Sequence, residues 1–244
     1  MLKVGPPDRA AREAFVLGQL AGSLRLSLPL LVDSGCGWLL LRSVDVVEPS
    51  DPARWRIGAL ADLARLHDAL VGAAILNDGR LRDVIGRELP ALAERSARLA
   101  AQLNLPEPLR SLAADPAQLQ TDLCGPITLV HGDAWPGNVL GTSAGGRCWI
   151  DWEEAGSGHA ALDLANWLHG SPWVPPSSDP AGDLAVYLAA RATPIDAVGF
   201  RRAVDAAAVL LFLLLDLPGA AGWEERNRLD ITDRRAVMAH QLAG

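Results

Sequence analysis

The sequence has few cysteines, and their positions do not favour cross-linking. Only three are present, Cys36, Cys124 and Cys148, and no two of them form a C-x-x-C pair. An odd, widely spaced set of this kind excludes a disulfide framework and a zinc-finger spacing. We therefore expect a protein of the reducing cytoplasm.

The sequence also lacks a long apolar run. Residues 1–7 do not contain the apolar core of a secretion signal. The most apolar stretch, residues 206–215, is about half as long as the ~20 residues that a membrane-spanning helix needs. Asp205 and Asp216 flank this stretch, so we predict a buried core helix and no membrane partner.

Basic charge is scarce as well. The chain has 22 basic and 29 acidic residues, which gives a formal net charge of −7. Because nucleic-acid binding depends largely on a basic surface, this balance argues against a nucleic-acid partner. Lys3 is the only lysine, since every other basic residue is an arginine. Half of the 244 residues are hydrophobic, which is enough for one large domain or two unequal lobes.

The first 44 residues are predicted to form a small lobe. Residues 2–4 read as a strand, and a helix follows from Asp8, in the N-cap position, to about residue 21. Two further strands are predicted at residues 28–32 and 38–41, joined by a turn at residues 33–37. Such a unit is too small to bury its own core, so it must pack against the rest of the chain.

The remainder, residues 45–244, is predicted to be mainly helical. A connector leads to a helix start at Asp51-Pro52, and two further helices are predicted at residues 81–103 and 106–123. A buried strand at residues 127–130 and a hairpin of residues 139–140 and 148–150 interrupt the helices. The predicted class is α+β, with a small β-containing lobe followed by a larger helical lobe.

Chemistry-bearing residues cluster around the predicted hairpin. The loop that follows strand 127–130 contains His131, Asp133 and Asn138, and the returning strand ends at Asp151. Carboxylate and amide oxygens suit Mg²⁺, so Asn138 and Asp151 could bind the ion beside a phosphate. Asp133 would then be free to orient a hydroxyl and accept its proton, as phosphoryl transfer requires. The alternative is a polar turn in which Asp133 and Asn138 only cap the backbone.

This pattern resembles the aminoglycoside phosphotransferase and choline kinase-like family, whose members are related to protein kinases. The resemblance extends over nearly the whole chain. It rests on His131-Gly-Asp133-x-x-x-x-Asn138, Ile150-Asp-Trp-Glu153, Ala155-Gly156, Leu162-Asp-Leu-Ala165 and, upstream, Leu63-Ala-Arg-Leu-His67. It implies a protein-kinase-like two-lobe fold, with ATP and Mg²⁺ as cofactors and a small-molecule hydroxyl as acceptor.

The same resemblance implies a role for each residue of the motifs. Asp133 would be the catalytic base, and Asn138 and Asp151 would be the magnesium ligands. His131 would brace the catalytic loop, and Asp163 would support that loop from the start of a helix. The alternative for Asp163 is a plain N-cap.

Members of this family have a strand lysine that binds the nucleotide phosphates and pairs with a helix glutamate. Lys3 and Glu13 fit these two positions, because the only lysine lies in a strand that directly precedes the helix of Glu13. The alternative is that Glu13 pairs with Arg9, one helical turn earlier. Residues Arg42 to Val44 would form the hinge whose backbone meets the adenine.

The sequence departs from the family pattern in two respects. It starts at the lysine strand, without the two strands and the phosphate-covering loop that precede this strand in relatives. Either the native protein is longer, or it is a trimmed descendant, with or without activity. In addition, Trp135 replaces a histidine of many relatives; it would either line the acceptor pocket or pack under the loop. Glu153, one of many acidic residues late in the chain, is a second candidate for the acceptor pocket.

Three functions are compatible with these residues. The leading prediction is a small-molecule kinase that transfers the ATP γ-phosphate to an aminoglycoside-, amine- or sugar-like hydroxyl acceptor. A non-catalytic nucleotide-binding module, similar to a pseudokinase, is the alternative. A metal-dependent phosphohydrolase ranks third, because one histidine is too few for a typical binuclear site.

Overall fold

The computed structural model describes residues 1–21, 26–115, 117–217 and 225–243. The first elements along the chain are β1 (Leu2–Val4), α1 (Pro7–Leu20), β2 (Leu31–Gly35) and β3 (Trp38–Leu41). The three strands form a small antiparallel sheet in the order β1-β3-β2. Helix α1 packs against β2 and β3 of this sheet.

The start of α1 differs from the prediction. The helix begins at Pro7 rather than after Asp8, and its N-cap residue is Pro6, which makes no side-chain cap. Proline suits the first helical position because its fixed φ matches the helix and its missing N–H would have no partner there. Asp8 therefore lies within the first turn, where its negative charge still favours the helix N-terminus.

The turn between β2 and β3 is also shorter than predicted. Strand β2 extends to Gly35, and only Cys36 and Gly37 form the turn. Both ends of the turn require glycine. Gly37 has a φ of 78°, and a Cβ on Gly35 would overlap the Trp38 indole. Pairing of β2 with β3 thus prevails over the turn propensity of residues 33–35.

The rest of the described chain is mainly helical. Its helices are α2 (Pro52–Ala69), α3 (Leu89–Gln102), α4 (Glu107–Ala114), α5 (Ala117–Asp122), α6 (Ala161–His169), α7 (Pro180–Ala190), α8 (Ala197–Leu211) and α9 (Glu225–Ala243). Its strands are β4 (Arg82–Asp83), β5 (Ile127–Val130), β6 (Val139–Gly141), β7 (Arg147–Trp149) and β8 (Gly156–His159). The predicted α+β class is confirmed.

Two predicted helices are each divided. The segment predicted as one helix at residues 81–103 contains β4, a π-helical turn at Val84–Glu88 and then α3. The first residues of this segment form β4 instead of helix because they pair with β8. The segment predicted at residues 106–123 contains α4 and α5, and Asp115 between them leaves the helical conformation. The next residue in the sequence is a proline, which disfavours a helical residue before it.

Two strand pairings and one isolated β-bridge position the central loops. β5 pairs with β8 in an antiparallel ladder, while β6 and β7 form the predicted hairpin. The segment between β3 and α2 contains the predicted lobe boundary at residue 44 and contacts this hairpin, since Val46 pairs with Thr142. This segment therefore lies against the turn of the hairpin.

The core of the larger lobe lies around α6 and α8. Residues 206–213, in α8 and the π-helical turn that follows (Phe212–Asp216), are buried, as predicted from their apolar composition. The largest fully buried side chains are Trp149, Trp152, Trp167, Tyr187, Phe200 and Phe212. Among the residues that the structure describes, no helix combines the length and the apolar character needed to cross a membrane.

Candidate active site

His131 anchors the loop that joins β5 to β6. Its side chain is fully buried, and its Nε2 lies 2.9 Å from the backbone oxygen of Ile150. Its ring also packs on Trp152, with 4.4 Å between the ring centroids. Burial lowers the pKa of His131, so the neutral imidazole is favoured. These contacts attach the loop to the end of the hairpin.

Gly132 allows the loop to pass close to the segment after β7. Its φ is 82°, and a Cβ at this position would overlap the backbone oxygen of Glu154. Glycine is the residue that adopts this conformation without steric cost. The sharp turn here directs the next residue, Asp133, towards a cleft that Glu154 also lines.

Asp163, in α6, binds the backbone of the same loop. Its buried carboxylate accepts hydrogen bonds from the backbone N–H groups of His131 (2.7 Å) and Gly132 (2.9 Å). It lies in the first turn of α6, but the N-cap residue of that helix is Ala160. The geometry therefore matches the predicted support of the loop rather than the N-cap alternative.

A chain of buried polar groups continues beyond Asp163, and the sequence analysis missed most of it. His67 contacts Asp163 through Nε2 (3.1 Å) and Tyr187 through Nδ1 (2.8 Å). Arg191 donates to the Tyr187 hydroxyl at 2.7 Å and pairs with Asp68 at 2.7 Å. The signals in the sequence were the position of His67 in a family motif and the fact that Tyr187 is the single tyrosine.

Asp133 and Asn138 are hydrogen-bonded to each other. Asn138 Nδ2 donates to the backbone oxygen and to Oδ2 of Asp133, both at 2.8 Å. Burial raises the pKa of Asp133 above its ordinary value, although the hydrogen bond from Asn138 opposes this shift. The loop thus presents one oriented, partly buried carboxylate to the cleft.

Asp151 lies just beyond the end of β7, beside Asn138. The backbone N–H of Ile150 donates to the backbone oxygen of Asn138 at 3.0 Å, which brings the two segments together. Asp151 has a φ of 67°, a left-handed conformation that costs about 1 kcal/mol or more outside glycine. Such strain, at a residue that faces the cleft, is typical of functional positions.

Lys3, in β1 of the small lobe, contacts Asp151. Its Nζ donates to Glu13 at 2.6 Å and makes a shorter contact with Asp151. Burial acts to lower the pKa of Lys3, but the hydrogen bonds to Asp151 and Glu13 raise it above its ordinary value. Lys3 is therefore charged. Glu13 pairs with Lys3 and not with Arg9, so the contact expected from the family pattern is present.

The remaining candidate residues lie apart from this cluster or in an unexpected place. The Arg42 amide donates to the backbone oxygen of Leu30, so it is not available to a ligand. Among the described residues, the backbone of Val44 makes no hydrogen bond. The Trp135 indole packs on Gly137 and hydrogen-bonds Asp133, and it is not among the residues that line the cleft. A role of Trp135 in the acceptor pocket stays a prediction.

Glu153 is the second candidate for the acceptor pocket, and its carboxylate contacts Lys3 at 3.0 Å and Arg9 at 3.0 Å. It lines the cleft as well. The reason is the single 3₁₀ turn at Trp152–Glu154, which directs Glu153 back towards β1 and α1. Glu153 therefore belongs to the lysine cluster.

A cleft of about 620 Å³ opens in front of Asp133 and Asp151. Seven carboxylates and three arginines line it, which makes its field strongly negative unless cations enter. The lining residues are Asp8, Arg9, Arg12, Arg82, Glu88, Gly132, Asp133, Asp151, Glu153, Glu154, Asn166, Ser171, Trp173, Leu211 and Asp216.

The side-chain oxygen atoms beside the cleft are of the type that binds a hard divalent cation. Because Asn138 Nδ2 is bonded to Asp133, the carbonyl oxygen is the Asn138 side-chain atom that remains for a cation. The Asp151 carboxylate, on the neighbouring segment, is a second oxygen group that could bind a cation. One or two protein oxygens of this type, with substrate phosphates, are a usual environment for Mg²⁺.

A two-lobed fold with a half-buried lysine paired to a buried glutamate, an aspartate on a braced loop and an adjacent Asn/Asp pair is typical of phosphotransferases of the protein-kinase-like class. The profile of the phosphotransferase enzyme family matches residues 2–207, and the chain belongs to this family. No curated protein sequence matches the chain significantly.

Solved structures with this fold include three kinases and phosphotransferases. The Plasmodium vivax ethanolamine kinase is 15% identical, with a TM-score of 0.66 over 98% of this chain and 74% of that one. A choline/ethanolamine kinase family protein from Mesorhizobium loti is 17% identical, with a TM-score of 0.57 over 99% and 81%. The macrolide 2′-phosphotransferase of Brachybacterium faecium is 22% identical, with a TM-score of 0.58 over 96% and 82%. These similarities confirm the predicted kinase-like fold.

Proposed function

We propose that the protein is a small-molecule kinase that transfers the γ-phosphate of ATP to a hydroxyl group. The observation that supports this most directly is the convergence of Asp133, Asn138, Asp151 and Lys3 through hydrogen bonds at one cleft. Phosphoryl transfer depends on positioning and on charge stabilisation, and these four side chains supply both.

Asp133 is the catalytic base in this proposal. It accepts the proton of the acceptor hydroxyl while the hydroxyl oxygen bonds to the γ-phosphorus and ADP leaves. Asn138 fixes the orientation of the Asp133 carboxylate. The pKa of Asp133, raised by burial, makes this carboxylate a stronger base than an exposed one.

Lys3 binds the nucleotide phosphates, and Glu13 holds the Lys3 side chain in position. Asn138 and Asp151 would hold Mg²⁺, which supplies positive charge to the phosphate oxygens. The backbone of Val44, which lies between the lobes, would contact the adenine. The amide of Arg42 is not part of this hinge contact, because it is bonded to Leu30.

Asp216 supports an amine-bearing acceptor. Its carboxylate lines the cleft, is largely buried, and accepts no hydrogen bond from the described residues. Arg235 is 4.0 Å away, and charge on Asp133 further opposes ionisation of Asp216. A buried carboxylate without donors is costly, so an ammonium group on the acceptor would stabilise it. Exposed Trp173 at the rim of the cleft adds a cation–π surface.

The proposal is tested by acceptor-dependent ADP release. The protein is incubated with MgATP and a panel of amino alcohols, aminoglycosides, macrolides and neutral sugars, in parallel with Asp133→Asn. We expect ADP release with amine-bearing acceptors and a loss of at least about 100-fold in Asp133→Asn, since a positioned base contributes that much. Calorimetry should show MgADP binding by both proteins.

Two outcomes would replace the proposal with another function. Nucleotide binding without ADP release for any acceptor would indicate a non-catalytic nucleotide-binding module. Phosphate release without an acceptor, retained in Asp133→Asn, would indicate a phosphohydrolase.

A further inference from the structure

The ammonium group of Lys3 is already surrounded by carboxylates of the protein: it donates hydrogen bonds to Glu13 and Asp151 and forms an ion pair with Glu153. A lysine ammonium group has three N–H donors. Lys3 Nζ contacts three carboxylates, those of Glu13 (2.6 Å), Asp151 and Glu153 (3.0 Å). A nucleotide phosphate can therefore bind Lys3 only where a carboxylate moves away.

The three carboxylates differ in how firmly they are held. The Glu13 side chain is 2% exposed, lies within α1 and accepts a hydrogen bond from the Trp152 backbone. It is the fixed partner of the lysine. Asp151 extends from the hairpin that carries Asn138, and its position is set by that hairpin.

Glu153 is the displaceable partner. Its side chain is 23% exposed, and its second oxygen pairs with Arg9, also at 3.0 Å. The Arg9 side chain is 45% exposed and can follow a small movement of Glu153. If Glu153 leaves Lys3, its charge is still compensated by Arg9, whereas Glu13 has no second cation among its described contacts.

We propose that Glu153 is an internal competitor of the nucleotide. Its carboxylate occupies the position beside the Lys3 ammonium group that a phosphate needs, and nucleotide binding transfers Glu153 from Lys3 to Arg9 alone. The inference rests on the proposed function, because it assumes that Lys3 binds phosphate. Glu153 thus sets the nucleotide affinity without contacting the acceptor hydroxyl.

The test is the dissociation constant of MgADP, measured by calorimetry on the full chain. Glu153→Gln keeps the shape and the hydrogen bond to Arg9 but removes the charge. We expect this variant to bind MgADP about 1.5- to fivefold more tightly, the range that partly exposed ion pairs provide. Glu154→Gln is the matched control, because Glu154 pairs with Arg9 and Arg82 but not with Lys3. Its affinity should stay close to that of the wild type.

A double-mutant cycle separates competition from a general charge effect. Arg9→Ala removes the alternative partner of Glu153, so it should weaken MgADP binding in the wild-type background. In the Glu153→Gln background, the same change should have a clearly smaller effect. Non-additivity of this sign shows that Arg9 acts through Glu153.

Equal or weaker MgADP binding by Glu153→Gln overturns the inference, since it means that Glu153 does not compete or that it helps to hold the nucleotide or its metal ion. Thermal unfolding of each variant, followed by circular dichroism, identifies any loss of affinity due to misfolding. If the proposed function is wrong, the wild type itself does not bind MgADP. This result is distinguishable from wild-type binding that Glu153→Gln fails to strengthen.

Discussion

The Asp163 carboxylate accepts a 2.7 Å hydrogen bond from the backbone N–H of His131, 32 residues earlier in the chain. A side chain in the first turn of α6 thereby fixes the start of the loop that carries Asp133. The contact is buried, so water cannot replace either partner. The precision of the candidate active site depends on this link between a helix and a loop.

Replacing Asp163 by asparagine should therefore impair both stability and activity. Asparagine has one acceptor oxygen for two backbone donors, and its NH₂ group would face an N–H. We expect the free energy of unfolding to fall by about 2–3 kcal/mol, as for a buried unsatisfied group, and kcat to fall more than KM rises. Urea denaturation and ADP release measure the two effects.

Asp179→Asn is the control for this change. Asp179 also accepts a backbone hydrogen bond, from Gly182 at 3.0 Å, but at the exposed N-cap of α7. Asparagine is as good an N-cap as aspartate, so this variant should resemble the wild type. Equal effects of the two substitutions would argue against a special role of Asp163.

Gly132→Ala should destabilise the loop through two separate costs. One is the positive φ of 82°, and the other is overlap of the new Cβ with the backbone oxygen of Glu154. Gly145→Ala has only the first cost, since its φ is 76° and no atom lies within 4 Å of its Cβ position. We expect a loss of about 1–2 kcal/mol for Gly145→Ala and clearly more for Gly132→Ala.

Urea denaturation at neutral pH gives both values, and ADP release gives the effect on the site. Only Gly132→Ala should reduce turnover, because residue 132 directly precedes the proposed base. If the two glycines prove equally tolerant, the close approach of the loop to Glu154 is not needed for stability.

Asp216 makes stability depend on pH. Burial, opposed by Arg235 and reinforced by Asp133, raises the pKa of Asp216 from 3.8 to about 7 in the folded state. Because the folded protein binds this proton more tightly than the unfolded chain, the stabilisation due to protonation is complete below about pH 4. It is lost as the pH rises to 7.

Asp216→Asn, which cannot ionise, should therefore match the wild type at pH 4 and be more stable at pH 8, by on the order of 1–2 kcal/mol. Thermal unfolding at both pH values tests this. Asp230→Asn is the control, because this exposed carboxylate should change stability little at either pH. A destabilised Asp216→Asn at pH 8 would mean that the ion pair with Arg235 outweighs the cost of burial.

Much of the fold and of the candidate site could be predicted from local patterns. Asp133 and Asn138 are five residues apart in one loop, and the hairpin returns Asp151 to their side, so short-range geometry suffices. The apolar composition of residues 206–213 likewise predicts their burial. Local patterns failed at the divided helices, where the pairing of β4 with β8 and the turn at Asp115 compete with helix propensity.

The sequence alone determined the chemistry that is available: one lysine, a loop with a base and a metal ligand, and a second carboxylate on the returning strand. Only the tertiary structure decided which distant groups meet. Glu153 contacts Lys3, Tyr187 supports His67, and Asp216 faces the cleft because packing of the two lobes and of α6 to α8 sets their orientation. Pairs more than 100 residues apart have no local periodicity that could predict their contact, since it arises from the burial of entire helix and sheet faces.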